Sequence, residues 1–467
     1  MEEYHYKTIE ELSLLIKNKE LSPVEITENI LERISAIDTE YKSYTTIMYD
    51  HAIKSAKHAE KEILAGNYRG SLHGVPIAVK DLCFTKGVRT MGGCKVMENH
   101  IPSYDATVIT KLKNVGAILL GKLNLTEGSM RGNIPDFPMP LNPWNIDTWT
   151  GTSSSGSGVA TALGLCFGSL GSDTAGSIRF PSACCGIVGL KPTWGRVSRY
   201  GILALAESLD HVGPMTRSSA DAGIMLQAIA GYDKNDPTSL TDVMPDINKT
   251  IDQDINGIRI GFDEDYATDG VNKELAKSII DSLSVLKDLG AEIIDVKMPD
   301  ISKYISFWNI ICSSEGLNSY LSFYSTDSIN SKWWIKKDLL DIGSKVTGSE
   351  YAYANNMRNE CNSLVKNALG TVDVLLTPTT IAPPHKVTSD TLHGDLNNKM
   401  LGTNFSQFAI PFNFSGAPTL CTPSGFTKDW LPLSVQFVGK HLSEPLLCRI
   451  GNAYEKVTRF TSIHPLS

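Results

Sequence analysis

Residues 151–180 read GTSSSGSGVATALGLCFGSLGSDTAGSIRF. Two clusters of glycine and small hydroxyl residues bracket one apolar, helix-like segment at 159–167. A packed domain tolerates so much glycine only where backbone must turn sharply or approach something closely, so the stretch marks a site. Spacing tests what kind. A phosphate-binding loop needs Lys and a hydroxyl after its second glycine; Gly151 and Gly156 are correctly spaced, but Ser157 and Gly158 follow. A dinucleotide fingerprint begins at Gly156 and Gly158 and fails at Thr161. A serine elbow centred on Ser153 fails because Ser155 takes the place of its last glycine. A flexible linker does not carry a buried apolar run.

Nucleophilic catalysis by serine remains. Ser177 closes D-T-A-G-S, where Thr174, Ala175, Gly176 and Ser177 can aim successive backbone N–H groups into one concavity that stabilises an oxyanion. A serine hydroxyl needs a base. The ten histidines form no recruiting motif; His73 and His211 are the nearest by context, and each reads more readily as structural. A lysine offers another route. The apolar strand V-P-I-A-V-K-D at 75–81 ends on Lys80. Buried with few neighbours, Lys80 would have a depressed pKa and act as base, with Ser153 bridging it to Ser177.

The two clusters, with I-A-V-K-D at 77–81 and C-G-I-V-G-L-K-P-T at 185–193, resemble the amidase signature family of serine hydrolases. The resemblance continues through G-R-V-S-R-Y-G at 195–201, S-L-D-H-V-G-P-M-T-R at 208–217 and, more weakly, L-P-L-S-V-Q-F-V-G-K at 431–440. It implies a base at Lys80, a bridging serine at Ser153 held by a cis peptide, and an acylated serine at Ser177. It also implies oxyanion amides at Thr174, Ala175, Gly176 and Ser177, and a substrate-facing carbonyl at Met130. Thr152 departs from the glycine common at that place, which affects loop shape more than chemistry. A homodimer, a small-molecule amide substrate and the absence of any metal or organic cofactor are implied by resemblance alone.

Alternating strand and helix patterns predict an α/β fold: a large mixed, mostly parallel central sheet covered by helices on both faces. The chain reads as one domain over 1–467, with a helical front at 1–66, the signature core at 70–220 and a variable, substrate-facing region at 300–400. Predicted helices cover 8–19 behind a T-x-x-E box, 22–38 behind a second box with Pro23, 50–65, 105–115, 218–229 (capped by Ser218 and Asp221), 271–289, 349–369 and 445–457. Predicted strands are 43–48, 75–80, 117–122, 257–262, 291–296 and 374–377. The part from 300 to 348 reads as less regular and aromatic. Its Trp308, Tyr320, Phe323, Tyr324, Trp333 and Trp334 suit a pocket wall or ordinary core and dimer contact.

With 43 basic against 51 acidic residues, the net charge of −8 recruits neither nucleic acid nor an anionic membrane. Nine scattered cysteines without a C-x-x-C pair predict buried free thiols rather than disulfides or zinc. The start, M-E-E-Y-H-Y-K, shows no secretory signal, and no run of about eighteen apolar residues occurs. The expectation is a cytoplasmic enzyme.

These readings converge on a stand-alone amidase that forms an acyl-enzyme on Ser177. Within the family the alternative is the glutaminase subunit of a tRNA-dependent amidotransferase. Such subunits hold the glutamine ammonium with an aspartate whose place falls here on Ser406, and no counterpart of their carboxylate-binding arginine is evident in the aromatic region. A non-catalytic interaction scaffold is a third possibility, opposed by the presence of all three relay residues. Asp173 and Arg179 are expected to pair and hold the nucleophile's loop.

Overall fold

The computed structural model describes residues 4–130, 132–321, 339–388 and 406–465. One sheet organises them. Its strands are β1 (Tyr44–Ile47), β2 (Pro76–Lys80), β3 (Ile118–Leu123), β4 (Gly168–Asp173), β5 (Val188–Lys191), β6 (His211–Thr216), β7 (Arg259–Phe262), β8 (Glu292–Asp295), β9 (Val374–Pro378), β10 (Thr419–Phe426) and β11 (Pro432–Gly439). They lie in the order β1-β3-β2-β4-β6-β5-β10-β11-β9-β7-β8.

The sheet is mixed, as expected, but its pairings are not mostly parallel. Four neighbouring pairs are parallel (β3–β2, β2–β4, β9–β7, β7–β8) and six antiparallel. Parallel pairs sit toward the flanks, where strand and helix alternate in the chain. The centre, β4 through β11, runs antiparallel and includes strands whose Gly, Pro and Ser content hid them from the pattern. All residues of β2, β3, β4, β5, β6, β9 and β11 are buried. Because successive side chains point to opposite faces, both faces of the sheet are covered.

Local chemistry sets the helices. Thr8 and Glu11 form a reciprocal capping box at Ile9–Lys17. Ser22 accepts from Val24 and Glu25 amides at the start of Pro23–Tyr41, but its own hydroxyl turns to Glu60, so that box is not reciprocal. Ser218 caps Ser219–Ile229, whereas Asp221 reaches across to accept the Ile9 and Glu10 amides at 3.0 and 3.2 Å. The apolar run at 159–167 divides. Ser155–Ala162 is helix, Gly164 turns with a positive φ, and β4 follows from Gly168. Ser302–Leu321, expected to be irregular, is a helix. Tyr320 is core and Trp308 faces the site described below, while Phe323, Tyr324, Trp333 and Trp334 lie outside the described residues.

Candidate active site

β2 and β4 run side by side and bring Lys80 next to Ser172 and the segment that follows it. Lys80 Nζ lies 2.7 Å from Ser153 Oγ and 2.8 Å from Ser172 Oγ, with all three residues buried. Burial pulls the Lys80 amine down to about 7, against the opposing charges of Asp210, Cys83 and Asp173. An amine near that value is available as a base at neutral pH. Ser172 is a site residue that the sequence reading misses; its position one residue before the D-T-A-G-S motif is the only signal for it. By occupying a second Lys80 contact it fixes the amine's direction.

Ser153 follows a cis peptide bond at Thr152–Ser153. Its carbonyl accepts the Thr126 amide at 3.3 Å, which ties it to the turn 126–130 and so to half-buried Met130. Ser177 lies alongside: the Ser154 amide donates to the Ser177 carbonyl at 3.2 Å. The half-buried Ser177 hydroxyl makes no hydrogen bond among the described residues. The Lys80–Ser153 link is therefore formed in this structure and the Ser153–Ser177 link is not. A change of Ser177 χ1 between staggered wells moves its Oγ by about 2.5 Å without backbone motion.

The oxyanion segment departs from expectation at one residue. The Gly176 amide donates to Asp173 Oδ1 at 2.7 Å, so it is spent inside the loop and does not face a substrate. The amides of Thr174, Ala175 and Ser177 have no acceptor among the described residues. Asp173 continues by accepting the Ile178 amide at 3.1 Å, and forks with Arg179 through Nε and Nη2, both at 3.0 Å. Although burial opposes it, the Arg179 charge holds the Asp173 carboxyl well below the usual range. Arg179 also donates to the Phe408 and Ala409 carbonyls and, at 2.6 Å, to Asn413 Oδ1. The pair holds the loop, as expected. Glycine is required twice here. A Cβ on Gly176 (φ +109°) would lie 2.4 Å from the Phe180 ring, and one on Gly151 (φ +76°) 2.5 Å from the Pro181 backbone.

Neither histidine serves Ser177. Buried His211 turns Nδ1 to the Leu209 carbonyl at 2.7 Å, and His73 sits against Glu62 at 3.2 Å. Trp308 Nε1 donates to the Thr174 carbonyl at 3.0 Å, so the aromatic region does reach the site. Among the described residues no cluster of His, Cys, Asp or Glu could hold a metal, all nine cysteines are free and buried, and no helix is long and apolar enough to cross a membrane. Ser406 is half-buried, its carbonyl accepting the Ala409 amide at 3.1 Å.

An amine, two hydroxyls and unclaimed amides grouped at the edge of a mixed sheet define a serine-hydrolase type of site. The chain belongs to the amidase signature family, whose profile matches residues 25–448. It is 39% identical over 457 residues to the provisionally named amidase AmiD of Mycobacterium tuberculosis, covering 97% of this chain and 95% of that one. It is 36% identical to the glutamyl-tRNA(Gln) amidotransferase component of Carboxydothermus hydrogenoformans that shares this fold family, covering 99% of both. Among solved structures it resembles the peptide amidase of Stenotrophomonas maltophilia, with a TM-score of 0.83, 29% identity and 98% of each chain covered.

Proposed function

We propose that this protein is a stand-alone amidase that hydrolyses a linear, non-peptide carboxylic amide to carboxylate plus ammonia or amine through an acyl-enzyme on Ser177. The observation that carries this reading is the Lys80 amine, buried and brought down to about 7, hydrogen-bonded at 2.7 Å to Ser153 beside an unengaged Ser177 hydroxyl. An amide is a stabilised acyl donor with a poor leaving group. Its cleavage needs an activated nucleophile, a place for the oxyanion and a proton for the nitrogen.

Ser177 Oγ attacks the carbonyl carbon, its proton passing to Ser153 as the Ser153 proton passes to neutral Lys80. The oxyanion is received by free amides of the Thr174–Ser177 segment. Collapse breaks the C–N bond as Ser153 hands a proton to the departing nitrogen and takes one back from Lys80. Water then adds to the acyl-enzyme by the same route, releasing carboxylate and restoring Ser177. Met130 offers its carbonyl to the substrate amide. Loss of one oxyanion donor typically lowers turnover by about 10²-fold or more. The same proposal takes the enzyme as a cytoplasmic homodimer needing no cofactor.

The test is a panel of aryl, aliphatic and amino-acid amides scored for ammonia or amine release. Ser177→Ala and Lys80→Ala are each expected to abolish turnover with the circular dichroism spectrum unchanged. Near-normal turnover by Lys80→Ala at pH 7 would overturn the base assignment.

The similarity to the amidotransferase component, end to end at 36%, favours one second reading: a glutaminase that works beside a tRNA-binding partner. Serine at position 406 speaks against it. Ammonia release from free glutamine, appearing only when partner subunits are added, would establish it.

A further inference from the structure

Asp210 is a buried carboxylate whose two oxygens serve two different elements. Oδ2 accepts the Leu205 and Ala206 amides at 2.8 and 3.1 Å and closes the 205–210 loop. Oδ1 accepts the Thr174 hydroxyl at 2.5 Å, thirty-six positions away in the chain. Asp210's own amide donates to the Ala206 carbonyl at 2.8 Å and its carbonyl accepts Arg199 Nη1 at 3.3 Å, so the carboxylate is rigidly held. No cation lies within ion-pair distance of it among the described residues. Burying a carboxylate without an ion partner is costly, and closing a loop needs only one acceptor, which a neutral amide supplies more cheaply.

Its second contact lands where geometry matters. The Thr174 carbonyl accepts Trp308 Nε1. A trans peptide carries its C=O and N–H on opposite edges, so that bond points the Ala175 N–H away from Trp308. With the Thr174 side chain held by Asp210 and its carbonyl by Trp308, the orientation of two free amides is set before any substrate arrives. Asp210 also supplies the charge that acts most strongly on Lys80, ahead of Cys83 and Asp173. The groups acting on Asp210 include Arg199, and its charge reaches the Cys312 thiol.

We propose that Asp210 is a positioning residue for the chemistry at Ser177, clamping the oxyanion segment through Thr174 and providing the negative charge against which Lys80 works. This rests on the reading of Lys80, Ser153 and Ser177 given above. The sign follows from charge. A carboxylate favours the ammonium form of Lys80, so its removal lets the neutral base persist to lower pH.

The test follows the rate of Ser177 labelling by a fluorophosphonate from pH 5 to 9, which needs no knowledge of the amide. In Asp210→Asn the acidic limb is expected to move down by about one pH unit. The plateau rate is expected to fall about tenfold as the clamp loosens. Thr174→Val keeps the charge and loses the clamp, so its plateau falls similarly while its limb stays in place. If Asp210→Asn fails to fold by circular dichroism, Thr174→Val decides: a plateau within twofold of wild type overturns the clamp. Wild-type labelling with an unmoved limb and unchanged plateau in Asp210→Asn overturns the proposal alone. Absence of labelling in the wild type overturns the site reading and the proposal with it.

Discussion

Lys80 works because it is in the wrong place for a lysine. An amine that titrates near 10.5 in water opposes folding when it is buried and brought down to about 7. Its folded value is depressed, so below pH 10.5 the unfolded chain binds the proton more readily, and stability from this group is recovered only as pH rises from 7 toward 10.5. Two outcomes follow. The acidic limb of kcat/KM should bend near pH 7 and fall about tenfold per unit below it, as measured on any amide that the panel returns. Lys80→Met, similar in volume, should raise Tm at pH 7 in a thermal melt while removing turnover, a trade that a structural lysine would not show. Lys80→Arg should be inactive across the whole range because a guanidinium stays protonated.

At the scale of elements, the fork between Asp173 at the end of β4 and Arg179 at the start of the helix Arg179–Cys185 is the joint that carries Ser177. Arg179→Met strands the carboxylate in the interior and should cost about 3–5 kcal/mol in denaturant unfolding. Much of this neighbourhood is legible in the sequence. Lys80, Ser153 and Ser177 stand in motifs whose residue types state their chemistry, and the flanking strands and helices obey simple periodicities. β4, β5 and β6 are not legible, since G-S-L-G-S-D and H-V-G-P-M-T carry neither alternation nor β-branched richness. Pro214 alone argues against a central strand, yet β6 accommodates it because pairing with β5 reaches only to Met215. Nor does spacing reveal that Gly176 gives its amide to Asp173, because that depends on where a side chain from the preceding strand turns.

Across the whole molecule, distant segments close on each other through buried polar groups. Asp221 accepts amides from the first helix, more than two hundred positions earlier in the chain, and Glu455 accepts the Ser219 amide at 2.9 Å and the Thr422 hydroxyl at 2.9 Å. Burial raises the Glu455 carboxyl to about 7. The folded state thus holds its proton more tightly than the unfolded chain does, and this group's contribution to stability falls as pH rises from 4.5 toward 7. Glu455→Gln has no such titration. The Tm of the variant minus that of the wild type should therefore climb between pH 4.5 and 7 and level off above, as read from melts at closely spaced pH values.

The Arg179 guanidinium touches the Phe408 and Ala409 carbonyls, Asn413 and Gln436. A growing polypeptide that has emerged only as far as residue 400 already contains all three relay residues, but lacks the partners that seat their loop. Competence is consequently withheld until synthesis is nearly complete, and an early-terminated product carries the nucleophile without the means to aim it.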